Sequence, residues 1–136
     1  MSATQNLLYA TVQVAHNLGA VAVVGGSLAG MLAAAPAARR KLVSVALAGW
    51  VTQALSGATF GAVSYYFYHK FPDIGEIATA ALMLKMACVA AGIMLLAAYL
   101  VWAGKLTEGI RKGAWIASFT LGLTALGAAA VLRWFS

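Results

Sequence analysis

The sequence predicts an all-α integral membrane protein, an antiparallel bundle of four transmembrane helices with both termini on the non-cytoplasmic side. Two observations carry this reading. Of 136 residues, 63% are hydrophobic and only 9% are charged, with a mean hydropathy of +0.89, whereas a soluble domain carries about a quarter charged residues. The few charges also gather at the ends of long neutral stretches, as the high cost of a charge at the bilayer centre demands. The length suits one four-helix domain over residues 1–136.

A crossing helix needs about 20 predominantly apolar residues, and four stretches reach that length, about 7–35, 43–68, 74–104 and 113–134. Pro36 and the run Arg39, Arg40, Lys41 are expected to end the first. Tyr65, Tyr66, Phe67 and Tyr68 form an aromatic girdle where the second meets the interface. Pro72, Asp73 and Glu76 read as a capping-box-like start to the third, with the acids at the positive end of the helix dipole. Lys105, Glu108, Arg111 and Lys112 are expected to fill the next loop, and Trp115 stands just inside the fourth span. The first residues lack the basic n-region of a cleavable signal peptide, so the first helix is expected to be retained.

Loop charge then orients the bundle. The loops between spans one and two and between three and four hold six basic residues, while the opposite side holds only Lys70 and Arg133 together with Asp73 and Glu76. The net charge of +6 does not point to nucleic acid, because the basic residues form no face that follows phosphates. The single cysteine, Cys88, excludes an internal disulfide and any CxxC motif.

Membrane bundles pack through small residues that let backbones approach. His16, Gly19, Val23, Gly26 and Gly30 recur at spacings of three and four on one stripe of the first span. Gly57 and Gly61 make a GxxxG pair in the second, with Gln53 and Ser64 on the same side, a surface that also suits homodimerisation. Ala78, Ala81, Lys85, Cys88 and Gly92 repeat the arrangement in the third. His16 and Lys85 therefore point inward at similar depth, roughly 13 and 16 Å below the outer ends of their spans. Thr124 falls at a comparable level, which predicts a polar layer of His16, Lys85 and Thr124 in the outer half of the bundle.

An ionisable residue within a span is a functional-site hypothesis by default. Asp73, Glu76 and Glu108 all stand at span ends or in loops, so Lys85 is either neutral or compensated from outside the chain by a lipid phosphate, a bound anion, a haem propionate or a partner's carboxylate. Copper(I) favours soft ligands, and the third span offers Met83, Met86, Cys88 and Met94. Only Cys88 shares the inward stripe, and methionine is ordinarily core filler. A bis-histidine haem needs two imidazoles at one height, yet His69 follows the girdle and belongs at the headgroups. That leaves a haem b shared with another subunit. No serine elbow or acid–histidine pair points to catalysis.

The order of features resembles the membrane domain of the CopD copper-resistance family. It is carried by His16 followed by Gly25-Gly26, the basic turn Arg39-Arg40-Lys41, the Ser56-Gly57 step and Leu82-Met83-Leu84-Lys85, over Val14 to Leu100. The resemblance implies copper handling at the outer side of a bacterial inner membrane, with His16 as a ligand candidate and Lys85 as a framework or gating residue. Two functions follow. One is a non-catalytic accessory subunit of a larger respiratory or electron-transfer complex, packed through its glycine faces against other membrane subunits. The other is copper handling through His16 and Cys88. The lack of a complete ligand set and the unmatched Lys85 favour the first, and the cofactor, copper or haem b, stays open.

Overall fold

The computed structural model describes residues 2–70 and 73–136. Four helices follow one another, α1 (Ala3–Leu32), α2 (Pro36–Tyr68), α3 (Glu76–Trp102) and α4 (Glu108–Phe135), each long and apolar enough to cross a bilayer. The chain is a multi-pass, all-helical membrane protein.

The helices run past the apolar stretches, because a helix does not have to stop where the hydrocarbon does. Pro36 does not close α1 but opens α2, at a position where its missing N–H is not needed. Ala35 before it is extended, as the residue preceding a proline must be. Arg39, Arg40 and Lys41 therefore lie in the first turns of α2, and Glu108, Arg111 and Lys112 in those of α4; of the expected loop residues, only Lys105 stands in the connection. The capping box expected at the start of α3 does not form. Gly75 occupies the N-cap with no side-chain cap, Glu76 opens the helix and Asp73 precedes it, while Pro72 lies outside the described residues.

The misplaced arginines explain themselves by what they touch. Arg39 Nε donates to the Ala33 carbonyl at 2.7 Å and Arg111 Nη2 to the Ala103 carbonyl at 2.8 Å. Arg39 and Arg111 thus each satisfy a carbonyl at the end of the preceding helix, where the backbone runs out of its own donors. Arg39 Nη1 also meets Glu108 Oε1 at 2.6 Å, joining α2 to α4. At the opposite end Gln5 Nε2 donates to the Tyr68 hydroxyl at 2.8 Å, joining α1 to α2.

The four helices form a ring in which each packs on its sequence neighbours and α4 returns to α1; the diagonal pairs α1/α3 and α2/α4 do not bring their backbones together. The most extensive contacts are within the α1/α2 and α3/α4 hairpins. In the first hairpin Gly19 faces Gly49, where a Cβ on Gly49 would lie 2.8 Å from the Gly19 carbonyl oxygen, and Gly26 rests on Ala46. Between the hairpins, Gly92 lies against the indole of Trp50, Gly30 against that of Trp115, and Gly122 against Val23. Ser27 and Ser118 share a hydrogen bond of 2.8 Å, and Trp50 Nε1 reaches Ser118 Oγ at 3.4 Å.

Outside, large apolar side chains such as Val21, Leu55, Met94 and Val101 are 64–75% exposed. Polar groups turned inward and apolar ones outward suit a bilayer. Gly57 departs from the expected packing stripe. It is exposed, and a Cβ there would meet nothing within 4 Å, so Gly57–Gly61 makes no close approach at Gly57 within the chain. Because alanine holds a helix better than glycine, Gly57→Ala is expected to stabilise the monomer by roughly 0.5–1 kcal/mol. Thermal unfolding in detergent checks this, and a clear loss of stability would place a neighbour on that face.

Candidate functional site

His16 and Lys85 are delivered to one point by two different helices. In α3, Lys85 follows the buried Ala81 by four residues and precedes the buried Cys88 by three, on the stripe that faces the bundle interior. In α1, His16 precedes buried Gly19 by three and Val23 by seven, again on the inner stripe. Lys85 Nζ lies 2.8 Å from His16 Nε2. Since α1 and α3 are diagonal in the ring, the lysine's four-carbon stem spans the interior where no backbone does.

The second ring nitrogen is also engaged. His16 Nδ1 lies 2.7 Å from Ser56 Oγ, and Ser56 Oγ donates to the Thr52 carbonyl at 2.5 Å. Gln53 Nε2 donates to the His16 carbonyl. Towards the terminal end, Phe60 meets the imidazole edge-on with centroids 5.9 Å apart, and Tyr9 stacks on Phe60 at 6.2 Å. Phe60, backed by Tyr9, stands against the imidazole.

These contacts assign the proton positions. A carbonyl only accepts, so at 2.5 Å the single Ser56 hydrogen is committed to Thr52; two bare oxygen lone pairs that close would repel. Ser56 Oγ must then accept from His16 Nδ1–H, which leaves Nε2 with the lone pair and makes Lys85 the donor. Protons therefore point one way along the line Lys85, His16, Ser56, Thr52. A protonated Lys85 has two further N–H bonds, and among the described residues none finds an acceptor.

His16 is thereby spoken for at both nitrogens, and a metal would have to displace Lys85 from Nε2. Among the described residues no group of three or more His, Cys, Asp or Glu side chains gathers for a metal. Cys88 is 4% exposed, one helical turn from Lys85, and makes no hydrogen bond among the described residues. Met83, Met86 and Met94 are 57–66% exposed and face outward. His69 caps α2 in the left-handed conformation, at φ 53°. Thr124 does not join the layer. It is exposed and donates to the Thr120 carbonyl of its own helix at 2.9 Å, because it sits about 200° around α4 from the buried Gly122.

The residues the sequence reading left out of the layer are Ser56 and Gln53. Their signal was present: Ala46, Gly49, Gln53 and Ser56 recur at spacings of three and four and make the buried stripe of α2. No protein-family model, curated protein or solved structure matches this chain.

Proposed function

We propose that the chain is a non-catalytic accessory subunit of a larger respiratory or electron-transfer complex in a bacterial inner membrane, with its basic end in the cytoplasm. One observation carries this reading. Lys85 is held inside the bundle by His16, with no carboxylate beside it among the described residues. The three acids all lie at helix ends or connections, and Glu108 pairs with Arg39. An ammonium within a membrane domain is expensive unless compensated, and a partner subunit's carboxylate compensates it at lowest cost. The broad apolar exterior and the open Gly57 leave room for such neighbours.

Copper handling, which the CopD resemblance implies, is the second reading, and Cys88 one turn from Lys85 favours it. It requires His16 to release Lys85 so that Nε2 becomes a ligand. The same preparation separates the two. The protein is purified from its own membranes in mild detergent, and co-purifying subunits, bound metal and visible absorption are measured together. Large partner subunits that are lost with Lys85→Met, while the helical content is kept, are the expected result. Stoichiometric copper lost on His16→Ala would establish the copper reading instead, and a haem Soret band that persists would displace both.

A further inference from the structure

The basic end of the bundle holds a cavity of about 240 Å³ lined by Pro36, Arg39, Arg40, Tyr99, Ala103, Gly104 and Arg111. It lies where α1 gives way to α2 and α3 to α4, which is the level at which the helices leave the apolar span. Three guanidiniums surround it and one carboxylate, Glu108, answers Arg39. Two positive charges are therefore unmatched among the described residues. Arg111 spends one N–H on the Ala103 carbonyl. The side chain of Arg40 makes no hydrogen bond or ion pair among the described residues, so capping does not account for its place on the wall.

We propose that this cavity binds the phosphate of an anionic phospholipid. Guanidinium forks match phosphate oxygens two at a time, and basic hollows between helices at this depth suit lipid headgroups. The rest of the wall distinguishes a lipid from free phosphate. Tyr99 is 6% exposed and, with Ala103 and Pro36, gives an apolar side on which a glycerol ester rests and which an inorganic anion would not use. One turn deeper in α4, Trp115 is in ring contact with Tyr99 at 5.7 Å. Its indole N–H is the buried side-chain polar atom without a partner among the described residues.

Native mass spectrometry of the full chain in mild detergent tests this, with phosphatidylglycerol, phosphatidylcholine or inorganic phosphate added in separate arms. Retention of phosphatidylglycerol over phosphatidylcholine is expected. Loss should be about fivefold for Arg40→Gln and larger for the Arg40→Gln, Arg111→Gln pair, since each cation near the surface contributes about that factor. The Arg40 change removes no internal contact, so its effect does not reflect misfolding. Lys105→Gln with Lys112→Gln removes the same two charges as the arginine pair from the same end but outside the cavity, and should lower retention clearly less than that pair, because these lysines add only to the surface field. An equal loss in that control would overturn the proposal, as would a lack of preference between the two lipids. Binding of inorganic phosphate with no lipid preference would overturn the lipid assignment.

Discussion

Gly92→Ala is expected to destabilise the bundle by about 2 kcal/mol, although alanine is the better helix former. A Cβ on Gly92 would fall within contact distance of the Trp50 ring. That ring has nowhere to go: Trp50 is 1% exposed and its N–H is directed at Ser118. Overpacking a closed core typically costs about 1–3 kcal/mol, and the gain of roughly 1 kcal/mol in helix propensity offsets only part of the upper value. Gly30→Ala should behave alike, since its Cβ would lie 2.5 Å from Trp115. The check is thermal unfolding in one detergent beside Gly57→Ala, which should move the other way. Gly92→Ala combined with Trp50→Phe should cost less than the two changes summed, because they share one contact. A Gly92→Ala protein as stable as the parent would mean that α2 and α3 do not pack this closely.

The second large effect concerns the interior pair. His16→Leu should cost about 1.5–3 kcal/mol, the range for a hydrogen bond to a charged group. It removes the acceptor of Lys85 and the donor to Ser56 together. Lys85→Met should cost less, because it leaves a neutral imidazole still bonded to Ser56 and removes an amine that has no carboxylate beside it among the described residues. The double variant then decides the chemistry. Interhelical hydrogen bonds in membrane proteins couple by about 0.6 kcal/mol on average and about 1.7 at most. A coupling above that range marks a charged lysine, and one near zero would show that the two side chains do not interact in the folded protein.

The four spans and the inward direction of His16 and Lys85 were legible in the sequence, because both follow from helical periodicity and the cost of charge in hydrocarbon. The helix ends were not. Arg39 and Arg111 are polar and read as loop, but their work is to satisfy carbonyls of the preceding helix, and that requires them to be helical themselves. Depth alone placed Thr124 with His16, although it faces away; the inner stripe of α4 is Ser118, Gly122 and Ala125. The Gly57–Gly61 motif drew attention in α2, yet the close approach to α1 is at Gly49, which stands in no GxxxG pair. Motif spelling carries less than the phase of the whole stripe, which Trp50 and Gln53 help to define.

Among the described residues the two diagonals of the helix ring are joined by side chains, α1 to α3 through His16 and Lys85, and α2 to α4 through Trp50 and Ser118 in the interior and Arg39 and Glu108 at the basic end. Mechanically these are crossed struts in a four-post frame, set at different heights. Within each hairpin the backbones pack most extensively, so the frame has a grain, and shear along the plane between the hairpins is opposed by the struts. One strut is an indole wedged against a serine and is indifferent to charge. The α1–α3 strut is a lysine on an imidazole, so whatever recruits that lysine away also loosens this brace while the α2–α4 braces stay fastened.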